Sequence, residues 1–335
     1  MRAAVFRECG KPLQIETLPD PTPGEGEVVL KVGRCGVCGS DLHVTGNPHR
    51  LAPAGKVLGH EWAGEIVATG RGVSRVRPGD IVAVLPLSSC GACASCLAGE
   101  PAWCERRNID GGGYGEFALT HERQCFKLPS TLSLEDGALV EPMAVGLHGV
   151  VMAGMKPGAR VLVIGAGPIG LAAIFWARRH GAGTIAATAA STRRAELALR
   201  MGASEFLAPS VNLAAAAAEA LGGPPDVVFE AVGAPGLIET AVACVRRRGT
   251  VVVLGLCWDP DTFVPGIAVA KEVRLQCAGF YSAREFEHAM QPFDTGSVEP
   301  REMVTDRVSL GEFPAAFEAL RTRTHQCKVM LDPWK

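Results

Sequence analysis

Four closely spaced cysteines carry the clearest chemistry in this sequence. Cys90, Cys93, Cys96 and Cys104 follow the pattern C-x2-C-x2-C-x7-C, and four thiolates can form a complete tetrahedral shell around zinc. An iron–sulfur cluster is the main alternative. The bacterial ferredoxin pattern, however, has three residues before its last cysteine and a proline after it, and this segment has neither. The spacing therefore predicts a structural zinc site with no open position for a substrate.

A glycine-rich segment, GAGPIG at residues 165–170, follows an apolar run at 160–164 and precedes a predicted helix. This is the context in which a G-x-G-x-x-G pattern indicates dinucleotide binding, whereas an isolated match could equally reflect tight packing. Glycines let the backbone approach a pyrophosphate, and free N–H groups at the helix start can receive its charge. We therefore predict a dinucleotide site that includes Gly165, Gly167, Pro168, Ile169 and Gly170.

The end of the next predicted strand indicates which nicotinamide cofactor is preferred. A carboxylate there would hold the ribose 2′-hydroxyl of NAD, but residues 188–194 read TAASTRR and contain no acid. Small residues followed by two arginines suit the 2′-phosphate of NADP, although the arginines could simply be solvated at the start of a helix. We predict that NADP is preferred over NAD, and that Ala190, Ser191, Arg193 and Arg194 bind it.

A second group of candidate ligands lies outside the four-cysteine segment. It comprises CGVCGSDLH at residues 35–43, GHE at 59–61 and Glu141-Pro142. With these motifs in this order, and the four cysteines between GHE and the glycine-rich segment, the chain resembles the zinc-containing medium-chain dehydrogenase/reductase family. The resemblance is strongest to the sorbitol, butanediol and threonine dehydrogenase branch, and it covers essentially the whole chain.

The resemblance implies a second, catalytic zinc. Cys38 and His60 would be ligands, with Glu61 and Glu141 supplying or exchanging the carboxylate position, while Cys35 would be a bystander. Glu141 stands where alcohol dehydrogenases of the horse-liver type have a cysteine ligand. This difference favours polyol-type substrates over long-chain primary alcohols.

These residue types are also chemically suited to alcohol oxidation. Zinc with three protein ligands keeps an open position that can bind a substrate oxygen and lower its pKa. Ser40 and His43, beside Cys38, can pass the released proton to solvent, and the family resemblance implies this proton-relay role for them. Glu61 completes the predicted catalytic residues, whereas Asp41 is predicted only to fix the local turn.

Two domains are expected to position these residues. Residues 28–84 alternate short β-branched runs with Gly and Pro, which predicts an antiparallel, barrel-like domain. Beyond about residue 146, strands alternate with helical stretches, which predicts a doubly wound parallel sheet. With the family resemblance, the predicted α/β architecture is a GroES-like catalytic domain at 1–146, with the zinc lobe at about 88–106. A Rossmann domain follows at 147–281, and residues 282–335 return to the catalytic domain.

Composition excludes several other classes of function. There are 33 Lys and Arg against 35 Asp and Glu without long runs of either sign, so a nucleic-acid partner is not expected. The N-terminal residues lack a secretory pattern, and glycines interrupt the apolar stretch at 161–177, so we expect a cytoplasmic protein without a membrane partner. By analogy with the family we expect a homodimer or homotetramer, with an edge strand near 264–273 as the pairing surface.

The sequence thus predicts a zinc-dependent oxidoreductase that moves a hydride between a secondary alcohol, diol or polyol, or the corresponding ketone, and NADP or NAD. A zinc-free quinone or enone reductase of the same superfamily is one alternative, against which Cys38, His60 and Glu141 argue. The other alternative is a non-enzymatic protein that binds zinc and a dinucleotide, against which Ser40 and His43 argue.

Overall fold

A computed structural model describes residues 1–49, 52–296, 299–322 and 325–335 of the chain. The strands, in chain order, are β1 (Arg2–Val5), β2 (Gln14–Thr17), β3 (Glu27–Gly36), β4 (Glu61–Thr69), β5 (Ile81–Val84), β6 (Leu87–Ser88), β7 (Asn108–Ile109), β8 (Phe117–His121), β9 (Cys125–Lys127), β10 (Arg160–Ile164), β11 (Thr184–Thr188), β12 (Glu205–Leu207), β13 (Val227–Glu230), β14 (Thr250–Val253), β15 (Arg274–Cys277), β16 (Val304–Ser309) and β17 (Lys328–Asp332). The α-helices are α1 (Gly39–Gly46), α2 (Ala94–Leu97), α3 (Leu134–Ala153), α4 (Pro168–Arg179), α5 (Ala195–Arg200), α6 (Leu213–Leu221), α7 (Leu237–Cys244), α8 (Pro265–Lys271), α9 (Ala283–His288), α10 (Gln291–Asp294) and α11 (Phe313–Ala319). No helix in this described part of the chain has both the length and the apolar character to cross a membrane.

The chain divides into two compact units. Unit 1 comprises residues 1–141 and 282–335, and unit 2 comprises residues 142–281. The boundary between unit 1 and unit 2 falls between Glu141 and Pro142, within α3. The domain boundary predicted from the sequence, at residue 146, lies in the same helix.

Unit 1 is built on a seven-stranded sheet in the order β16-β17-β3-β4-β5-β9, with β8 also paired to β3. Strand β3 is antiparallel to β4, β8 and β17, as predicted for this part of the chain. Alternate residues of β3, including Val28, Leu30 and Val32, enter the core, as the two-residue repeat of a strand requires. The β3–β4 register pairs Gly36 with Glu61, which brings the residues just beyond these strand ends together.

Unit 2 is a six-stranded parallel sheet in the order β12-β11-β10-β13-β14-β15. Counted from β10, this is the strand order 3-2-1-4-5-6 of a dinucleotide-binding doubly wound fold. The apolar residues of β10 are buried, as expected for a central strand covered on both faces. The predicted α/β fold class, with its doubly wound parallel sheet, is confirmed.

The prediction of an edge strand at 264–273 is wrong. Residues Pro265–Lys271 form helix α8, and the edge strands of the sheet are β12 and β15, the latter at Arg274–Cys277. Pro265 occupies the first helical turn, where its fixed φ and missing N–H are tolerated, and the alanines that follow favour a helix over a strand.

Candidate active site

One candidate metal centre lies where β3 and β4 meet in unit 1. Cys38 follows β3 and precedes α1, while His60 and Glu61 stand at the start of β4. One ligand atom from each of these three residues lies within 4.8 Å of the other two. The spacing of Cys38 and the GHE motif in the sequence cannot show this proximity; it comes from the pairing of Gly36 with Glu61 across the two strands.

Gly59 lets the chain pass close to the core immediately before His60. Its φ of +86° lies in the left-handed region, and a Cβ there would meet the ring of Tyr114 and the sulfur of Cys35. Any other residue would be strained and would displace one of these neighbours. The glycine of the GHE motif thus allows the backbone to pass close enough to the core for His60 to reach the candidate metal centre.

A buried carboxylate orients His60. Oδ1 of Asp41 lies 3.5 Å from Nδ1 of His60, and Oδ2 accepts a hydrogen bond of 2.6 Å from the hydroxyl of Tyr114. Burial alone lowers the pKa of His60, but the negative charges of Asp41 and Cys38 raise it well above its usual range. Likewise, burial raises the pKa of Asp41, and His60 and Tyr114 more than offset this, so its net shift is downward. With Nδ1 directed at Asp41, Nε2 is the ring nitrogen left for a metal.

A buried lysine holds the carboxylate of Glu61. Nζ of Lys328, on β17, lies 2.7 and 2.6 Å from the two carboxylate oxygens and donates a third hydrogen bond of 2.9 Å to the carbonyl of Val37. The side chains of Lys328 and Glu61 are 2% and 1% exposed. This ion pair is therefore closed to solvent.

The four cysteines predicted to form a structural site converge in unit 1. Cys90, Cys93, Cys96 and Cys104 each offer a sulfur within 4.8 Å of the others, and the sulfur of Cys96 lies 3.5 Å from that of Cys93 and 3.8 Å from that of Cys90. Tetrahedral bonds of about 2.3 Å to zinc would space the sulfurs by about 3.8 Å. Backbone N–H groups of Ala92 and Cys93 lower the pKa of Cys90 to about 5, which favours its thiolate form.

The glycine-rich segment of unit 2 joins β10 to α4. Gly165 has a φ of +109° and donates its N–H to the carbonyl of Thr188 at 2.8 Å. Gly167 is the N-cap of α4 and Pro168 opens the helix. A Cβ on Gly170 would collide with the carbonyl of Gly165, so this turn depends on glycine for its tightness.

The segment after β11 lies against this turn. Arg194 donates a hydrogen bond of 3.1 Å to the carbonyl of Ala166, within the glycine-rich segment, and Arg193 is exposed and donates one of 3.2 Å to the hydroxyl of Ser191. Ala190 is exposed and Ala189 is half-buried. The structure therefore brings Arg194 to the predicted phosphate-binding turn, with small side chains beside it.

Comparisons with known proteins agree with both units. Residues 24–130 match the family model of the alcohol dehydrogenase GroES-like domain, and residues 168–295 match that of the zinc-binding dehydrogenases. The chain is 33% identical to the sorbitol dehydrogenase of Bacillus subtilis (strain 168), over 99% of this chain and 97% of that protein. It belongs to the zinc-containing medium-chain alcohol dehydrogenases.

Two further relatives support the assignment. The (R,R)-butanediol dehydrogenase of Bacillus subtilis (strain 168) is 33% identical over 96% of this chain and 97% of that protein. A crystal structure of 2R,3R-butanediol dehydrogenase from Bacillus subtilis superposes with a TM-score of 0.88 at 30% identity, covering 99% of both chains. The chain is an NAD(P)-dependent dehydrogenase, and the two alternative functions are not favoured.

The two residues predicted to form the proton path of this dehydrogenase lie on α1. The hydroxyl of Ser40 donates to the sulfur of Cys38 at 3.2 Å, which places it at the metal centre. His43 lies three residues further along the same helix and is exposed, so the two side chains share a helix face that runs toward solvent.

Glu141 stands apart from the three grouped candidate ligands. It is buried on α3, and its negative charge contributes to the raised pKa of Lys328, after the effects of burial and of Glu61 and Cys38. Among the described residues, the group within 4.8 Å contains Cys38, His60 and Glu61 and does not include Glu141.

Sequence reasoning missed three residues of this dehydrogenase's centre. Lys328 was not singled out, although a lysine directly before the apolar run Val329–Leu331 is a signal for a buried partner. Asp41 was assigned to the local turn; it does accept the backbone N–H of Cys38 at 3.4 Å, but it also faces His60. Tyr114 lies fully buried with its hydroxyl on Asp41, and no motif in the sequence indicates this contact.

Proposed function

We propose that this dehydrogenase oxidises a small secondary alcohol, diol or polyol, or reduces the corresponding ketone, and that it uses NADP in preference to NAD. The observation that carries the proposal is the convergence of Cys38, His60 and Glu61, with a separate four-cysteine lobe in the same unit. One site has three donors and can keep an open position, whereas the other is closed by four thiolates.

The donor set of the first site fits a catalytic zinc. It combines a thiolate, an imidazole nitrogen and a carboxylate, which are the three ligand types that zinc takes in proteins. Bound zinc supplies Lewis acidity that lowers the pKa of a substrate hydroxyl, and the nicotinamide supplies the hydride acceptor. We propose two zinc ions per chain, the second of which is held by Cys90, Cys93, Cys96 and Cys104.

The protein's own part is to bind, orient and deprotonate the substrate. Ser40 lies next to Cys38 and can accept the hydroxyl proton of a substrate at the metal centre. His43, on the same face of α1 and exposed, can then pass that proton to solvent. Ser40→Ala and His43→Ala are each expected to slow turnover by about 10²-fold or more, the usual range for a lost proton-transfer group.

We propose Glu61 as the carboxylate ligand, with Glu141 as the second candidate. Glu61 is within reach of Cys38 and His60, and a carboxylate has enough lone pairs to accept from Lys328 and bind a metal together. Glu61→Gln is then expected to release the catalytic zinc more readily than Glu141→Gln. The reverse order would assign the resting ligand to Glu141.

The preference for NADP is supported by the segment after β11. No carboxylate stands between Thr188 and Arg194 to repel a 2′-phosphate, and Arg193 and Arg194 bring two positive charges there. Among similar solved structures, one putative zinc-binding dehydrogenase from Sinorhizobium meliloti 1021 is bound to NADP, and an E. coli CFT073 alcohol dehydrogenase is complexed with NADH. Both cofactors thus occur on this fold, and the local charge favours NADP here.

The substrate class is supported by the names of the relatives. They include sorbitol dehydrogenases, a D-xylulose reductase and a butanediol dehydrogenase, and a similar solved structure is galactitol-1-phosphate dehydrogenase from Escherichia coli. All of these names describe compounds with more than one oxygen on neighbouring carbons. A vicinal diol or polyol is therefore the first substrate class to test.

The deciding experiment combines a zinc count with a turnover assay. Purified protein is analysed for zinc per chain, and reduction of NADP and NAD is followed by the absorbance of the reduced nicotinamide across secondary alcohols, vicinal diols and polyols. Two zinc ions per chain and faster turnover with NADP are expected. One zinc and no turnover on any of these substrates would support the zinc-free reductase or the non-enzymatic binder instead.

We propose that a second copy of this chain pairs along β15. Within the part of the chain that the structure describes, this strand is hydrogen-bonded to β14 on one side only. Leu275 on the strand and Val264, Ile267 and Val269, which precede it in the sequence, are exposed apolar residues. An unpaired edge with apolar neighbours is suited to sheet extension in a homodimer or homotetramer. Sedimentation at micromolar concentration is expected to show a dimer or tetramer, and a monomer would refute the pairing.

We propose the cytoplasm as the place of action. The two metal centres require free thiolates at Cys38 and in the four-cysteine lobe, and a reducing compartment keeps thiols in this state.

A further inference from the structure

The buried carboxylate of Asp41 has different partners on its two oxygens. Oδ1 faces Nδ1 of His60 at 3.5 Å. Oδ2 accepts from the hydroxyl of Tyr114 at 2.6 Å and from the backbone N–H of Cys38 at 3.4 Å. Asp41 is 3% exposed and Tyr114 is fully buried, so solvent cannot replace the hydroxyl. The tyrosine is thus the closest partner that this carboxylate has.

We infer that Tyr114 is a positioning residue for the catalytic metal centre, and that its hydroxyl fixes the rotation of the Asp41 carboxylate so that His60 presents Nε2 to the metal. The terminal torsion of an aspartate is soft, and a contact of 3.5 Å to His60 is too long to set it alone. The strong bond from Tyr114 holds Oδ2, which leaves Oδ1 directed at the imidazole. This inference rests on the proposed metal centre and adds a residue to it.

Tyr114 is itself held rigidly. Its N–H donates to the carbonyl of Leu58 at 3.1 Å, and its carbonyl accepts from Ala4 at 2.8 Å. Its ring lies 4.6 Å from the ring of Phe313 and 6.2 Å from that of Phe317, measured between centroids. A side chain fixed at the backbone and the ring can fix another group through its hydroxyl.

The same tyrosine reaches His60 by two routes. Through its backbone it holds Leu58, two residues before His60, and its ring packs where Gly59 leaves room for it. Through its hydroxyl and Asp41 it holds the imidazole. A phenylalanine would keep the ring packing and the backbone bonds and would lose only the second route, which makes Tyr114→Phe a selective test.

The test measures how fast zinc leaves each site. Zinc release to an excess of chelator is followed for the wild type, Tyr114→Phe and Cys38→Ala, and the phase that Cys38→Ala abolishes identifies the catalytic site. Loss of a group that orients a metal ligand typically weakens binding by 10–100-fold, and Tyr114 acts through Asp41. We therefore expect zinc release from that site to be faster by about tenfold in Tyr114→Phe, the lower end of this range, with release from the four-cysteine lobe unchanged.

Two further variants separate positioning from packing. Phe317→Leu loosens the same ring cluster without touching the hydroxyl, so it should lower stability and leave zinc release unchanged. In an Asp41→Asn background, Tyr114→Phe should add little to the rate of zinc release, because both changes break one chain of contacts.

The outcomes are distinct. The inference would be overturned if Tyr114→Phe released zinc from the catalytic site at the wild-type rate, even if the variant were less stable. It would also be overturned if Phe317→Leu sped this release as much as Tyr114→Phe does. If Cys38→Ala abolishes no phase of zinc release, the proposed metal centre itself fails. A tenfold effect confined to the phase that Cys38→Ala removes would support both.

Discussion

Replacement of Lys328 by methionine tests the buried ion pair beside the metal centre. Lys328→Met keeps the aliphatic stem and removes the ammonium. When the centre at Cys38 holds no zinc, this leaves the Glu61 carboxylate without a cation and the Val37 carbonyl without its donor of 2.9 Å. Because both side chains are at most 2% exposed, water cannot replace the lost partner. Breaking a buried pair from one side costs about 3–5 kcal/mol, and we expect a loss of unfolding free energy in this range.

The assay is urea unfolding in an excess of chelator, followed by circular dichroism, for the wild type, Lys328→Met, Glu61→Gln and the double variant. The double variant leaves no unpaired buried charge, so its loss of unfolding free energy is expected to be smaller than the sum of the losses in the two single variants. A loss below about 1 kcal/mol in Lys328→Met, typical of an exposed pair, would show that water reaches Glu61 and would refute the reasoning.

The pH dependence of this effect has a definite sign. Burial lowers the pKa of Lys328, but the negative charges of Glu61 and Cys38 raise it by more, so the net shift is upward. A raised lysine pKa contributes stability that is fully present below the ordinary value of about 10.4 and is lost only as the pH rises through the higher folded value. Between neutral pH and about pH 10, the difference between the wild type and Lys328→Met should therefore stay constant.

Three further predictions concern the cofactor, the lobe and the acid limit of stability. Ala189→Asp places a carboxylate at the end of β11 and is expected to shift the NADP to NAD ratio of kcat/KM toward NAD by about tenfold or more; an unchanged ratio would mean that the ribose pocket lies elsewhere. Cys96→Ser should lower the zinc count from two to one per chain while the centre at Cys38 stays loaded, as measured by elemental analysis. Burial raises the pKa of Asp136, but Arg301 and Ser133 lower it by more, so the net shift is downward. The ionised Asp136 therefore stabilises the folded protein above the ordinary aspartate pKa of about 3.9, and this stabilisation is lost as the pH falls through the lower pKa of the folded state. Asp136→Asn should lower the free energy of unfolding by about 1.5–3 kcal/mol at neutral pH and by progressively less in acid. A loss that stays constant down to about pH 2 would contradict this.

The sequence could predict those parts of the site whose ligands are close together in the chain. The four cysteines of the lobe lie within fifteen positions, 90–104, and the glycine-rich turn and α4 follow one another directly. In such cases the spacing of residue types nearly determines the local geometry. The fold class could be predicted too, because strand periodicity changes to alternating strands and helices between the two units.

The contacts that orient the metal centre could not be predicted, because they join distant parts of the chain. Lys328 lies 267 positions from Glu61, and Tyr114 lies 73 positions from Asp41. No periodicity links such pairs. Lys328 meets Glu61 because β17 pairs with β3, and β3 with β4, whereas a backbone hydrogen bond to Leu58 holds Tyr114 near the centre. The mistaken edge strand at 264–273 has a different cause. Its apolar residues suit either a strand or a short helix, and Pro265 with the alanines after it favours the helix.

The charges gathered around the metal centre explain why these distant residues are needed. Lys328 is bonded to Glu61, and Glu61, Cys38 and Glu141 all act on its ammonium, so acidic groups gather around one cation in a buried site. A divalent ion held by Cys38, His60 and Glu61 would offset the negative charge of these groups. Lys328 therefore limits the charge that the metal must offset, while Tyr114 and Asp41 direct the imidazole to it. Because thiolate, imidazole and carboxylate ligands bind a metal in their deprotonated forms, zinc loading of this centre is expected to become weaker as the pH falls.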